Sequence, residues 1–256
     1  MTIDPVCGKW IVERKAKAAA FHAGRIFYFC SEKHRDVFCA DPEAYAGKIK
    51  GGALRLGVMG AASGTFGPEV VKAAFELGAA AARRGLVLVT GAAPGLPWES
   101  ARGAQSEGGL SIGISPALSL HEHVNFYKSP ADHFDVMIYT GSGLMGREIV
   151  NIRSSDMVAI INGRSGTLGE FSIAYDEAKL IGVVKGSGGI ADIIPQLVHA
   201  IEKDTGAVIL YDSDPAALVD RMIGEYVGRH FKHPSILVQN GYEKKGGTRS
   251  REAGEG

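Results

Sequence analysis

The chain has 256 residues, and 45% of them are hydrophobic, which is ordinary for a globular protein and enough for one α/β domain with a small extra module. Its 28 basic residues balance its 28 acidic residues, so no net field attracts nucleic acid or an anionic membrane, and we expect neither as a partner. No apolar run reaches the length of a transmembrane helix and the first residues lack the pattern of a signal peptide, so the expected location is the cytoplasm.

The first 50 residues differ in composition from the rest, because they are rich in cysteine, histidine and aromatic residues. All three cysteines of the chain lie there, at positions 7, 30 and 39. An odd number of cysteines in a chain expected to be intracellular favours thiols or metal ligands over a disulfide framework. Gly51 and Gly52 follow as a plausible linker, so a boundary is predicted near residue 50.

Residues 4 to 47 resemble a YHS domain, a short metal-associated module with the motifs D-P-V-C-G, Y-F-C-S-x-x-C and F-x-x-x-P-x-x-Y. Cys7 and Cys30 lie at the positions of its cysteines, and His34 replaces the last one. The resemblance implies a small α+β module over residues 1 to 50. A core of about 50 residues is thin, so a bound metal would also add stability.

The residues of this module could bind zinc or copper. Cys30 and His34 are four residues apart, which places them on one face if "SEKHRDVF" is helical. Together with Cys7 they offer thiolate and imidazole ligands, and Cys39 and His22 are further candidates for a fourth ligand. The alternative is that the cysteines are small buried apolar residues and that His34 is a solvated helix residue.

From Leu54 the chain alternates short apolar runs with helical patterns, and the first helix is expected from Pro68 to Arg84. Runs that are apolar almost throughout predict strands of a parallel sheet covered on both faces: LRLGVMG, LVLVTG, LSIGIS, DVMIYTG, DMVAIING and AVILYD. The predicted fold class is α/β, a doubly wound Rossmann-like parallel sheet with helices on both faces, preceded by the small α+β module. The large domain is expected to span residues 54 to 241, and residues 242 to 256 are expected to form a disordered tail.

Four loops at the ends of predicted strands are rich in glycine, which lets a backbone approach a ligand closely. Ligands of such sheets bind outside the carboxyl ends of the strands, where helix starts favour anions, so we expect a phosphorylated ligand there. The alternative for any one loop is a sharp turn and nothing more. The candidate phosphate-binding residues are Gly60, Ser63, Gly91, Gly95, Gly163, Ser165, Gly166 and Thr167.

One of these loops contains the pattern G-x-G-x-x-G at Gly141, Gly143 and Gly146. The match follows a strand in the second half of the predicted sheet instead of the first strand, and a bulky methionine precedes its last glycine. A pattern of this kind alone is weak, so binding of a nicotinamide or flavin cofactor is disfavoured.

Arg147 and Glu170 lie near the starts of neighbouring predicted helices, so both can face one crevice. An arginine there can hold a phosphate or a sugar hydroxyl, and Glu170 beside it is expected to stay ionised and to stabilise positive charge or orient water. The alternative is an ordinary salt bridge on the helix surface. The segment "NGRSGTLGE", residues 162 to 170, can therefore cradle a phosphate, activate a water or simply make a tight turn.

Residues 54 to 241 resemble the Lonely Guy (LOG) family of Rossmann-like nucleotide-binding proteins. The family motif P-G-G-x-G-T-x-x-E falls on residues 162 to 170, where Gly163, Gly166, Thr167 and Glu170 match, while Asn162 and Arg164 replace the proline and the second glycine. The motif M-H-x-R-K falls on residues 144 to 148, where Arg147 matches and the other positions hold Leu144, Met145 and Glu148.

The resemblance implies hydrolysis of nucleoside 5′-monophosphates to a free base and ribose 5-phosphate, with Arg147 and Glu170 as catalytic residues. It also implies a homodimer or a higher homo-oligomer, and no cofactor at this site. The segments "GREIVNIRSSD" and "GLPWESARGA" look like those of a divergent branch near the molybdenum-cofactor carrier proteins. That likeness implies instead a non-catalytic carrier or sensor of a molybdopterin-like ligand or another phosphorylated nucleotide.

Overall fold

The computed structural model describes residues 1–47 and 52–234, so the predicted tail at 242–256 lies outside the described residues. The front of the chain forms two small antiparallel strand pairs followed by two helices. The strands are β1 (Thr2–Ile3) with β2 (Trp10–Ile11) and β3 (Ala18–His22) with β4 (Arg25–Phe29); the helices are α1 (Glu32–Ala40) and α2 (Glu43–Ala46). A small α+β module therefore precedes the large sheet.

A seven-stranded sheet, parallel at every strand pair, forms the centre of the remaining chain. Its strands are β5 (Arg55–Gly60), β6 (Val87–Thr90), β7 (Ser111–Ser115), β8 (Val136–Tyr139), β9 (Met157–Ile161), β10 (Leu180–Val184) and β11 (Val208–Asp212). Their spatial order is β11-β10-β9-β5-β6-β7-β8, so the order reverses between β5 and β9. Ligands of doubly wound sheets bind in the crevice at such a reversal.

Helices cover both faces of this sheet, and the predicted α/β fold class is confirmed. They are α3 (Pro68–Arg83), α4 (Leu96–Ser106), α5 (Leu120–Asn125), α6 (Gly143–Arg153), α7 (Ser165–Asp176), α8 (Gly189–Ile201) and α9 (Pro215–Gly228). Helix α3 packs against α4 and α9 on one face, and α7 packs against α6 and α8 on the other. Among the described residues, no helix combines the length and apolar content needed to cross a membrane.

The alternation of side chains along β9 explains why its sequence is apolar throughout. Met157, Ala159 and Ile161 enter the core beneath α3 and α9, whereas Val158 and Ile160 enter the core beneath α7 and α8. Successive residues of a strand point to opposite faces, so a strand buried on both faces has no polar positions. All five residues are buried as a result.

One strand of the sheet, β10, was absent from the predicted set. Gly182 interrupts its apolar run, and a glycine inside a strand weakens the sequence signal for that strand. The glycine is needed because a Cβ atom there would lie 2.3 Å from the Met222 sulfur on α9. The internal glycine is not enough to explain the missed strand, since β5 and β7 also contain one and were predicted.

The front module packs against the amino ends of the large sheet. The backbone N–H of Leu54, just before β5, donates to the Gly24 carbonyl over 2.9 Å. Ile26 and Tyr28 belong to the same buried apolar cluster as Met222 of α9. The module and the large sheet therefore share part of one hydrophobic core.

Gly24 is the tightest point of this contact. Its φ is +76°, and a Cβ atom there would lie 1.9 Å from the Gly85 carbonyl oxygen. We expect Gly24→Ala to lower the free energy of unfolding by about 2 to 4 kcal/mol, because left-handed strain of about 1 kcal/mol adds to an overpacking cost of about 1 to 3 kcal/mol. Gly108→Ala is the matched control, since Gly108 has a φ of +67° and open space around it. Urea unfolding of both variants measures the difference, and equal losses would contradict the proposed contact.

Candidate functional site

A cavity of about 320 Å³ lies where the strand order reverses, at the carboxyl ends of β5 and β9. The loops after β5, β6 and β9 and the first turns of α6 and α7 line it. The predicted residues that line it are Gly60, Ser63, Gly91, Arg147, Ser165, Gly166, Thr167 and Glu170. The parallel topology thus brings four separate segments of the sequence into one crevice.

Two of the glycines predicted to bind phosphate, Gly95 and Gly163, do not line the cavity. Gly95 has a φ of +75°, and a Cβ atom there would lie 2.6 Å from the Ala61 carbonyl oxygen. Gly163 has a φ of +106°, and a Cβ atom there would lie 2.5 Å from the Thr167 side chain. Both glycines shape the loops that frame the crevice, which is the turn role left open by the sequence.

Gly91 makes room for the guanidinium group of Arg147. A Cβ atom at position 91 would lie 1.6 Å from Arg147 Nη1, so any side chain there would displace the arginine. Arg147 is 8% exposed, and its Nε has no hydrogen-bond partner among the described residues. Buried N–H groups are nearly always hydrogen-bonded in folded proteins, so this donor is available for a ligand.

Arg147 and Glu170 meet in the crevice, as their positions near neighbouring helix starts predicted. Arg147 Nη1 lies 3.5 Å from Glu170 Oε1, a long contact for an ion pair. Asn151 Nδ2 donates to the same oxygen over 3.3 Å, and Asn151 Oδ1 is buried without a partner among the described residues. The sequence reasoning missed Asn151, although its position four residues after Arg147 places both on one helix face.

Glu170 is only partly ionised at neutral pH, whereas the sequence reasoning expected it to stay ionised. Burial raises its pKa to about 7, against the opposing effect of the Arg147 charge, and the nearby Glu148 carboxylate raises it further. Burial disfavours the charged form of a carboxyl group, and the neighbouring guanidinium does not fully offset that penalty. Glu170 therefore changes its protonation state near neutral pH, where a general acid or base works best.

Arg164 stands at the rim of the cavity as the residue before α7. Its Nη1 donates to Ser63 Oγ over 3.0 Å, which links the loops after β5 and β9. No side chain caps this helix, and its first turn closes with the hydrogen bond from Leu168 N–H to the Arg164 carbonyl. The N–H groups of Ser165, Gly166 and Thr167 precede that bond, so the helix start offers donors to an anion.

A second cluster of chemically active side chains lies in the front module. Ligand atoms of Asp4, Cys7, Cys30 and His34 lie within 4.8 Å of one another. The two sulfurs are 3.8 Å apart, and Cys30 Sγ is 3.4 Å from His34 Nδ1. A tetrahedral zinc with Zn–S bonds of about 2.3 Å places two sulfurs about 3.8 Å apart, so the spacing fits such a metal.

The local structure differs from the predicted helix face. Helix α1 begins at Glu32, because the Ser31 hydroxyl accepts the His34 N–H and caps the helix. Cys30 precedes the helix, so the expectation that Cys30 and His34 share a helical face is wrong, although their side chains still meet. His22 pairs with Glu43 over 2.9 Å, and neither His22 nor Cys39 belongs to the cluster.

Asp4 organises this cluster and was missed by the sequence reasoning. It is fully buried, and its carboxylate accepts the N–H groups of Val6, Cys7 and Cys30 and bonds to His34 Nδ1 at 3.0 Å. Burial would raise its pKa, but hydrogen bonds from Cys30, His34 and Val6 hold the pKa well below its usual range. Asp4 is therefore an anion that fixes the loop carrying both cysteines.

Solved structures similar to this chain include two that concern the molybdenum cofactor. The molybdenum cofactor binding protein of the phototrophic bacterium Rippkaea orientalis is 28% identical, with a TM-score of 0.56, over 68% of this chain and 97% of that one. The molybdenum cofactor carrier protein of Chlamydomonas reinhardtii is 26% identical, with a TM-score of 0.53, over 67% of this chain and 98% of that one.

Two relatives in sequence cover different shares of their own length. An uncharacterised protein of Archaeoglobus fulgidus is 33% identical over 132 residues, which are 52% of this chain and 80% of that protein. A copper-transporting P-type ATPase of Rhizobium leguminosarum is 45% identical over 42 residues, which are 16% of this chain and 5% of the ATPase.

The sequence model of one LOG-like family matches residues 53–219, which is more than half of the chain and includes every residue that lines the crevice. The structures from R. orientalis and C. reinhardtii agree with a divergent branch of the LOG-like proteins close to the molybdenum-cofactor carriers. The chain belongs to the SLOG cluster4 family.

Proposed function

We propose that this protein binds a phosphorylated heterocycle, either a nucleotide or a molybdopterin-like compound, in the crevice between β5 and β9. The observation that carries the proposal is Arg147, which is buried in the cavity wall with its Nε unpartnered among the described residues. Leaving a buried charged donor unsatisfied is costly, so a ligand acceptor would stabilise this arrangement. The cavity volume of about 320 Å³ lies at the lower end of the range for small-molecule sites.

The residues that line the cavity are of two kinds, which suggests how the ligand lies. Arg164 and Ser63, at the rim of the cavity just before α7, supply positive charge and hydrogen-bond donors, suited to a phosphate. Leu144, Pro97 and Ala93 supply an apolar wall, suited to a ring. The likeness to two molybdenum-cofactor proteins supports a carrier that holds its ligand unchanged.

Replacing Arg164 tests the phosphate position. We expect Arg164→Ala to weaken binding of guanosine 5′-monophosphate about ten- to a hundredfold, the effect of a hydrogen bond to a charged group, and to leave guanosine binding unchanged. Isothermal titration calorimetry measures both affinities. Arg35→Ala is the control, because Arg35 pairs with Asp36 on α1 in the front module. A loss that is equal for the nucleotide and the nucleoside would contradict the phosphate position.

A second candidate function is hydrolysis of the N-glycosidic bond of a nucleoside 5′-monophosphate. Glu170 favours it, because its pKa of about 7 lets it act near neutral pH. As the bond to the base breaks, positive charge develops on the ribose, and an ionised Glu170 would stabilise that charge and orient the attacking water. Arg147 would hold the substrate in place. The products are the free base and ribose 5-phosphate.

The pH dependence of base release tests this second candidate. Glu170 is protonated well below pH 7 and ionised above it, so the rate should rise with pH through about 7. Glu170→Gln should lower the rate at pH 8 by about 10²- to 10⁴-fold and remove the rise. Chromatography of the released base, from a panel of purine and pyrimidine monophosphates, measures the rate. If no base is released from any of them and Glu170→Gln behaves like the wild type, the hydrolytic function is contradicted and the carrier function is favoured.

We also propose that a second copy of the chain covers the apolar surface beside the crevice. Leu144 and Met145 on α6 are 55% and 73% exposed, and Leu118 nearby is 76% exposed. Leu118 lies against Gly141, just before α6, and is therefore close to the start of the helix that carries the other two side chains. Exposed apolar patches of this kind commonly mark protein interfaces. Analytical ultracentrifugation of a homodimer would give twice the 27.0 kDa mass of the chain.

We propose a metal-binding role for the front module, with zinc or copper(I) held by Cys7, Cys30 and His34. Two thiolates and an imidazole suit either ion, and Asp4 would orient the loop and the imidazole. The 42-residue likeness to a copper-transporting ATPase is nearly as long as this module and supports the proposal. A bound metal would cross-link the β1–β2 segment to the start of α1.

Metal content of cysteine variants tests this role. We expect one zinc per chain in protein refolded with zinc, and its loss in Cys30→Ser, because one of three ligands is removed. Cys39→Ser is the matched control, since Cys39 is an exposed thiol outside the cluster. Zinc at a hundredfold excess over its dissociation constant should also stabilise the wild type by about 2.7 kcal/mol. Plasma mass spectrometry gives the stoichiometry; equal zinc in both variants would contradict the assignment, and competition with copper(I) identifies the preferred ion.

A further inference from the structure

Glu148 is a buried carboxylate in the wall of the crevice. It is 5% exposed and lines the same cavity as Arg147 and Glu170. Within the part of the chain that the structure describes, no group donates a hydrogen bond to it or forms an ion pair with it. Arg147, the adjacent residue, acts on it only as a nearby positive charge. Glu148 is therefore an acceptor that the described protein groups leave unsatisfied.

The first turns of α7 leave space for this carboxylate. A Cβ atom at position 169 would lie 2.8 Å from Glu148 Oε2, and a Cβ atom at position 166 would lie 3.4 Å from Oε1. Any side chain at residue 169 would force the carboxylate to move. This contact explains why residue 169, the second glycine of "SGTLGE", has no side chain. The packing holds Glu148 against the helix, with the cavity beside it.

The carboxylate oxygens of Glu148 open to the cavity, so water can reach them there and a ligand that displaces this water must supply donors in its place. Burial raises the pKa of Glu148, with Arg147 opposing the shift, so the pocket itself does not favour its charged form. A carboxylate accepts hydrogen bonds at two oxygens and donates none when ionised. A ligand edge with two adjacent N–H donors would satisfy both oxygens at once, as a bidentate arginine does.

We infer that Glu148 determines the ring specificity of the crevice, by accepting two hydrogen bonds from a 2-amino-4-oxo heterocycle such as guanine or a pterin. Rings of this class present a ring N–H and an exocyclic NH₂ side by side. Adenine presents an exocyclic NH₂ beside a ring nitrogen lone pair, which would face a carboxylate oxygen and repel it. The inference rests on the proposed function, because it concerns the ring of the ligand whose phosphate lies near Arg164.

The residue at position 148 also accounts for the charge pattern of the crevice. Arg164 stands at the rim beside Ser63, whereas Glu148 stands in the wall beside Arg147. A phosphate is attracted to the first and repelled by the second, so the two residues would orient a ligand with its anionic end toward Arg164 and its donor edge toward Glu148. The negative charge at 148 is thus compatible with an anionic ligand.

A single isosteric substitution tests the inference. The wild type should bind guanosine 5′-monophosphate about ten- to a hundredfold more tightly than adenosine 5′-monophosphate, the range for hydrogen bonds to a charged group, with inosine 5′-monophosphate between them because it keeps one donor. Glu148→Gln should reverse the order, because the amide offers one acceptor and one donor that match the edge of adenine. Titration calorimetry measures the affinities, and mass spectrometry checks that the nucleotides are recovered intact.

The controls separate this inference from the proposed function. Glu69→Gln, on α3 outside the crevice, should leave the order of affinities unchanged. A merely structural role for Glu148 would weaken all three nucleotides equally, which would overturn the inference. Equal binding of the three nucleotides by the wild type would also overturn it while leaving the phosphate site intact. If neither the nucleotides nor ribose 5-phosphate binds, the proposed function itself fails.

Discussion

The burial of a guanidinium group at the reversal of strand order is the constraint on which the crevice depends. Arg147 enters the space that Gly91 leaves open, and a charge in that position requires partners. One partner is Glu170, whose Oε1 lies 3.5 Å from Arg147 Nη1. The other is a ligand in the cavity, since Arg147 Nε has no partner among the described residues. Burial raises the pKa of both Glu170 and Glu148, and the positive charge of Arg147 opposes both shifts, so the protonation of the two carboxyl groups depends on this arginine.

The parallel topology explains how much of the site could be predicted from the sequence. Apolar runs followed by glycine loops predict strands whose carboxyl ends share one edge, so Arg147 and Glu170 had to lie near each other. Gly91 and Gly95 look alike in the sequence, yet one accommodates a side chain and the other a carbonyl oxygen. A glycine carries no signal of what fills the space beside it, so those roles required the structure.

Side chains that act through others were the hardest to predict. Asp4 opens the D-P-V-C-G motif, but the motif does not indicate that its side chain binds the backbone of the cysteine loop, and Asn151, which binds Glu170, stands in no motif. The ionisation of Glu170 depends on the balance between burial and one neighbouring charge. Burial depth is set by the packing of α6 and α7, which residue patterns do not specify. Chemistry-bearing residues were therefore easier to find than their protonation states.

The contact of the front module and the crevice lie at opposite ends of β5. The front module contacts residues just before β5 and β6, as at Leu54 and Gly85, whereas the crevice follows the carboxyl end of β5. A strand of six residues spans about 20 Å, so the contact between the module and the sheet lies about that far from the crevice. The metal in our account is a property of the front module and its stability.

The central claim is that the crevice holds a phosphorylated ring with a donor-bearing edge. Mass spectrometry of the small molecules released from gently purified protein tests it most directly. Our account predicts a stoichiometric compound with a phosphate group and a 2-amino-4-oxo ring, and its absence from an Arg164→Ala, Glu148→Gln double variant. A stoichiometric ligand that lacks phosphate, or one retained in full by the double variant, would contradict it.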